Sequence, residues 1–80
     1  TRYTASMGGQ HNIRVNCVSP GGLVTDKHPK KFVRNYSRRT QLGRLGKERD
    51  LVGSIVFFAS DASAYITGTN LPVDGGYTAK

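Results

Sequence analysis

Two short runs rich in β-branched residues, separated by one long segment of helical period, constrain this chain more than any single motif. The first run, Ile13-Arg14-Val15-Asn16-Cys17-Val18, alternates apolar and polar residues at its start and reads as a strand. Ser19-Pro20-Gly21-Gly22 ends it, because proline cannot donate to a ladder and glycine permits a tight turn. The second run, Asn70-Leu71-Pro72-Val73-Asp74, reads as a short final strand, and Pro72 places it at an edge or a bulge. A strand that returns to a second strand through a helix is a βαβ unit of a parallel sheet.

The connecting helix is expected over Lys47–Ser60. Leu51, Ile55 and Phe58 recur at i, i+4 and i+7, and Val52, Val56 and Ala59 widen the stripe. Glu48 and Asp50 stand in its first turn, where the helix dipole favours negative charge. So wide a stripe predicts burial against a sheet. Two strands cannot make a sheet covered on both faces, so further strands and helices are required. The predicted fold is therefore α/β, the C-terminal part of a doubly wound parallel-sheet domain, with residues 1–80 as one segment of it.

The remaining segments are simpler. Arg2–Met7 suits a helix stopped by Gly8-Gly9. Residues 26–42 form an irregular insert, expected as a surface lid, in which Pro29 starts a short helix with Phe32, Val33 and Tyr36 on one side. Gly43 and Gly46 bracket a turn, Asp61–Ala64 breaks the main helix, and Tyr65–Gly68 is a bend. Asn16 is expected to hold neighbouring backbone, and Asp74 is a candidate partner for Arg44.

Composition narrows the function classes. The chain has 80 residues, 36% of them apolar, and opens at Thr1 in what reads as mid-helix, so a fragment is expected. No apolar run approaches the roughly 20 residues of a membrane span; the longest, Leu51–Ala59, is interrupted by Gly53 and Ser54. No signal peptide opens the chain, and Cys17 alone cannot form an internal disulfide, so a cytoplasmic protein is expected. Cys17 reads as a small hydrophobe rather than a nucleophile. His11 and His28 lack partners at ligand spacing, so no metal is expected. Eight of the twelve Lys and Arg lie between Lys27 and Lys47 with no Asp or Glu among them, inside a net charge of +7. That patch fits either an anion-binding surface or a solvated helix face. Only Phe32 and Tyr36 fall within it, too few aromatics for a nucleic-acid stacking platform, and no nucleic-acid or membrane partner is expected.

Taken together, Ile13-Arg14-Val15-Asn16-x-x-x-Pro20-Gly21, Gly43-Arg44-Leu45-Gly46, Ile66-Thr67-Gly68 and Val73-Asp74-Gly75-Gly76 resemble, in order, the C-terminal pattern of the short-chain dehydrogenase/reductase family. The resemblance runs through essentially the whole chain. It implies a Rossmann-type sheet whose last two strands, crossover helix and lid are present here. It also implies NAD or NADP as cofactor, with the Pro-Gly turn against the nicotinamide, since ligands in such folds bind beyond the carboxyl ends of the strands.

The family's Pro-Gly-x-x-x-Thr pattern is matched by Pro20, Gly21 and Thr25, and the resemblance assigns cofactor binding to Pro20, Gly21, Gly22, Leu23 and Thr25. The Leu23 backbone and Thr25 hydroxyl would hold the carboxamide or a nearby phosphate; a plain turn with a capping threonine is the competing reading. Gly75-Gly76 is expected to serve packing and subunit contact rather than phosphate binding, because too few residues follow for a helix. A homo-oligomer is implied through the 47–60 helix and the final strand, with Phe57, Phe58, Leu71 and Val73 as its candidates.

No catalytic residue is assigned within the chain. Tyr3-Thr4-Ala5-Ser6-Met7 imitates the family's Tyr-x-x-x-Lys, but Met7 supplies neither charge nor donor where the lysine belongs. The glycine-rich cofactor fingerprint is also absent. The implied whole transfers a hydride between a nicotinamide and a carbonyl/alcohol pair on a small substrate, and the isolated segment is expected to be inactive. Lys27, Lys30, Lys31, Arg34, Arg38 and Arg39 point to an anionic or sugar-like substrate. A truncated, non-catalytic assembly module and a small basic nucleic-acid-binding protein are the alternatives.

Overall fold

The computed structural model describes residues 1–25 and 27–79. In chain order it contains helix α1 (Arg2–Gly9), strand β1 (Cys17–Pro20), helix α2 (Lys30–Arg39), helix α3 (Arg49–Ala59), a 3-10 turn (Asp61–Ser63) and strand β2 (Asn70–Val73). β1 and β2 are direct parallel neighbours, with Cys17 opposite Asn70 and Pro20 opposite Val73. The expected βαβ order is therefore present, as a two-stranded sheet.

The first strand begins at Cys17, four residues later than the alternation predicts, because Ile13–Asn16 spend their hydrogen bonds elsewhere. The Ile13 N–H closes the end of α1 by donating to the Gly8 carbonyl at 3.0 Å. The Val15 N–H donates to the Thr67 hydroxyl, and the Asn16 side chain spans the gap, donating to the Ile66 carbonyl and accepting from the Thr69 N–H, each at 3.0 Å. This stretch runs beside residues 66–69 through these side-chain links and one backbone bond, from the Gly68 N–H to the Val15 carbonyl at 2.8 Å, and a regular ladder starts only where the Cys17 N–H reaches the Thr69 carbonyl at 2.9 Å. Both prolines fit the ladder. Cys17 and Gly21 donate to β2, so the odd-numbered residues face it and the missing N–H of Pro20 falls on the other edge.

Arg14 ties the strand's approach to the end of α3. Its guanidinium donates to the carbonyls of Phe58 (3.0 Å) and Ser60 (3.2 Å) and to the hydroxyl of the fully buried Ser63 (2.8 Å). A cation there satisfies carbonyls that α3 leaves open and complements its dipole. The other end of α3 is set by Asp50, whose carboxylate accepts the Lys47 N–H at 2.8 Å, so the helix proper runs 49–59 inside the predicted 47–60.

The core is small: Ala5 and Leu45 are its buried apolar residues among those described. The apolar stripe of α3 is not buried as predicted. Val52, Ile55 and Val56 are each more than half exposed, because two four-residue strands offer too little sheet to cover an 11-residue helix. Asp74 does not pair with Arg44 either. Arg44 instead meets Asp50 at 2.9 Å, and Asp74 turns onto its own tail, accepting from the Thr78 hydroxyl at 2.7 Å and the Gly76 N–H at 3.0 Å. Gly75 and Gly76 have φ of 62° and 88°, and a Cβ on Gly76 would lie 2.6 Å from that of Gln41. The glycine pair thus lets the tail pack on the chain that leaves α2.

Candidate functional site

β1 carries Pro20 to the carboxyl end of the sheet, and backbone bonds from three directions fix the turn that follows. The Gly21 N–H donates to the Val73 carbonyl at 2.9 Å. The Gly22 carbonyl accepts from the Gly46 N–H at 2.9 Å, and the Val24 N–H donates to the Gly46 carbonyl at 2.8 Å. This parallel bridge between Leu23 and Gly46 uses both backbone groups of Gly46 and neither of Leu23. The N–H and C=O of Leu23 therefore point away from the bridge, and among the described residues no hydrogen bond engages them. A donor and an acceptor on one residue stand ready beside the strand ends.

The glycines of the turn answer to their surroundings. A Cβ on Gly21 would sit 2.8 Å from both Cα and Cβ of Asp74, and one on Gly22 would sit 2.6 Å from Leu45 Cδ2 and 2.7 Å from Tyr36 Cε1. Any side chain at either position meets the protein itself, so the need for glycine holds before a ligand is considered. Thr25 is exposed; its hydroxyl accepts the Lys27 N–H at 3.3 Å and its carbonyl accepts the His28 N–H at 3.4 Å. That is a hydroxyl-stabilised turn leading into the lid. Pro20, Gly21, Gly22 and Leu23 thus form one contiguous ledge, and Thr25 marks its far end.

The segment expected as a lid meets this ledge through Tyr36, on one face of its helix. Asp26, its expected first residue, lies outside the described residues; the remainder contains α2, preceded by Pro29 and ended by the extended Thr40. Thr40 is buried, and its hydroxyl accepts the Arg44 N–H at 3.0 Å while donating to the Ser37 carbonyl at 3.0 Å. The rings of His28, Phe32 and Tyr36 follow one another at 4.7 and 5.8 Å, and Tyr36 stacks on Tyr77 at 4.9 Å. The Tyr36 hydroxyl accepts the Gly22 N–H at 2.9 Å. Four-residue spacing places Lys30, Arg34 and Arg38 in one exposed row on the opposite side of α2. Lys30, Arg34 and Arg38 therefore turn away from the ledge, and Tyr36 turns toward it.

Two carboxylates nearby are held well ionised. Hydrogen bonding from Arg44, then from the Lys47 N–H, draws the Asp50 carboxyl down to about 2. The Thr78 hydroxyl holds that of Asp74 below its ordinary value. Both serve turns and caps, and among the described residues neither is hydrogen-bonded to Leu23. Tyr3 lies on α1 and is 78% exposed. Cys17 is half-buried on β1, 3.9 Å from the Ser19 hydroxyl. Sequence reasoning passed over the contribution of Tyr36 and Tyr77. The signal was present in the spacing of His28, Phe32 and Tyr36, but nothing in the sequence brings Tyr77 to the end of that row.

Residues 1–78 match the family described as enoyl-(acyl carrier protein) reductase. An L-rhamnose 1-dehydrogenase (NAD(P)(+)) of a Sphingomonas species is 47% identical over 78 residues, covering 91% of this chain and 31% of that protein. The 2-dehydro-3-deoxy-D-gluconate 5-dehydrogenase of Escherichia coli is 37% identical, covering all of this chain and 34% of that one. Among solved structures, a short-chain dehydrogenase from Leptospira borgpetersenii with bound NAD+ superposes with a TM-score of 0.94 at 46% identity, over 98% of this chain and 30% of that one. The chain thus spans less than two-fifths of the length of each of these relatives.

Proposed function

The chain belongs to the short-chain dehydrogenase/reductase family, and from that membership we propose that it forms the C-terminal part of an NAD- or NADP-dependent oxidoreductase acting on a small, sugar-like substrate. The observation that carries this reading is the unengaged N–H and C=O of Leu23 at the carboxyl end of β1. A primary carboxamide presents an acceptor oxygen and a donor NH2 group side by side, and this backbone pair complements one hydrogen bond of each. When bound, the nicotinamide would supply or accept the hydride exchanged with a carbonyl/alcohol pair.

The residues of this chain bind and orient. Pro20 and Gly21 set the ledge, held to β2 through the bond to Val73. Gly22, fixed between Gly46 and Tyr36, keeps Leu23 facing outward. Thr25 shapes the path into the lid, and its exposed hydroxyl is the further contact proposed for the cofactor. The proton-transfer groups are assigned to parts of the enzyme other than residues 1–80, since Tyr3 is followed at the lysine position by Met7.

The sugar-like substrate class rests on the rhamnose and deoxygluconate dehydrogenases among the relatives. The outward row Lys30, Arg34 and Arg38 supports long-range attraction of an anionic sugar acid rather than direct contact with it. The exposed Val52, Ile55 and Val56 of α3 and Leu71 of β2 support a second role, packing against further sheet and a second subunit. No helix among the described residues is long and apolar enough to cross a membrane; a cytoplasmic location is part of the same proposal.

The test is a spectrophotometric assay of the native protein with NAD and NADP against L-rhamnose, related aldoses and sugar acids. Reduction of the nicotinamide with at least one of these substrates supports the reading. Absence of both turnover and NAD(P)H binding contradicts it.

A further inference from the structure

We infer that Tyr36 is a positioning residue that locks the cofactor ledge to the lid, so that the lid helix sets how well Leu23 is presented. The inference rests on the nicotinamide reading of the ledge and adds to it a residue outside the turn. Three observations converge on Tyr36. Its hydroxyl accepts the Gly22 N–H at 2.9 Å, the residue just before Leu23. Its ring lies so close to Gly22 that a Cβ there would come within 2.7 Å of Cε1. Its other ring contacts are Phe32 on the lid and Tyr77 in the tail, at 5.8 and 4.9 Å.

The Gly22 peptide is gripped on both sides as a result. Its carbonyl accepts from Gly46, and its N–H is held by Tyr36, 14 residues away on α2. Without the hydroxyl, the half-buried N–H loses its only acceptor among the described residues, and the Gly21–Gly22 peptide that leads into Leu23 loses its tie to α2, while Gly46 still holds the peptides on either side of Leu23. The lid is in turn anchored by the buried Thr40 at its far end, so α2 is fixed at both the ledge and its exit.

Tyr36→Phe keeps the ring and removes only the acceptor. In the native protein it should raise the KM for the nicotinamide cofactor about 3- to 10-fold, the scale of one neutral hydrogen bond. The kcat at saturating cofactor should stay unchanged, while the thermal midpoint should fall slightly, because ring packing is retained but one half-buried donor loses its acceptor. Exchange of the Gly22 amide hydrogen should accelerate in parallel. Tyr36→Leu, which also removes the stack on Tyr77, should raise KM further, and Tyr36→Phe should recover part of that loss. An unchanged cofactor KM in Tyr36→Phe, in an enzyme that does bind nicotinamide, overturns the inference while leaving the ledge reading intact. If the native protein binds no nicotinamide, the ledge reading fails, and the Gly22 exchange rate still decides whether the latch exists.

Discussion

Replacing Arg14 with methionine tests the link on which the whole arrangement hangs. The substitution keeps an unbranched apolar stem and removes the guanidinium that joins β1's approach to the end of α3. Hydrogen bonds from a charged donor each contribute about 1.5–3 kcal/mol, so the three shortest Arg14 bonds would sum naively to more than about 4 kcal/mol. The surroundings reduce that figure. The Phe58 carbonyl also accepts from the Ser63 hydroxyl at 3.1 Å, the Ser60 carbonyl from the Ser63 N–H at 3.3 Å, and the Ile66 carbonyl, 3.5 Å from Arg14, from Asn16 at 3.0 Å. Each carbonyl keeps a donor when the guanidinium leaves and only the buried Ser63 oxygen loses one, so the loss falls to about 2–4 kcal/mol. Arg14→Lys retains the charge at the helix end but not the fork, and should lose roughly half as much. Urea denaturation of the native protein and both variants, at one protein concentration, measures this directly. A loss within about 0.5 kcal/mol for Arg14→Met, the scale of an ordinary surface change, refutes the reasoning.

Two other perturbations follow from the same geometry. Asp50 has its folded pKa drawn down to about 2 by Arg44 and the Lys47 N–H, so its stabilisation is present above the ordinary carboxylate value and is lost as pH falls toward 2. The thermal midpoint of Asp50→Asn should accordingly vary less with pH across that acid window than that of the native protein, and parallel profiles would contradict the assignment. Gly21→Ala places a methyl 2.8 Å from the backbone of Asp74; relief requires β1 and the tail to part, which should cost about 1–3 kcal/mol in denaturant unfolding and weaken NAD(P)H binding, while a neutral result would mean the ledge is looser than drawn.

The βαβ order was legible in the sequence because it rests on periodicity and on proline and glycine, which act locally. The ends of elements were not. Ile13–Asn16 look like a strand by alternation, yet Asn16 and Thr67 replace ladder bonds with side-chain ones, a choice made by residues some 50 positions away. The stripe of α3 was read correctly as apolar but not as exposed, since burial depends on how much sheet lies opposite. At the ledge, Pro20, Gly21 and Thr25 were found through a motif, whereas the outward turn of Leu23 follows from its bridge to Gly46. The lid's charges were visible as a cluster, but only the helix phase shows that Lys30, Arg34 and Arg38 stand away from Tyr36.

Hydrogen exchange over Pro20–Thr25, followed in the native protein with and without NAD(H), tests the central claim most directly. Among the described residues the Leu23 N–H has no acceptor, whereas the N–H groups of Gly22 and Val24 are bonded to Tyr36 and Gly46. The account predicts that Leu23 exchanges quickly without cofactor and becomes strongly protected with it, while Gly22 and Val24 change little. Protection that appears elsewhere in the protein and leaves Leu23 exchanging as before would contradict it.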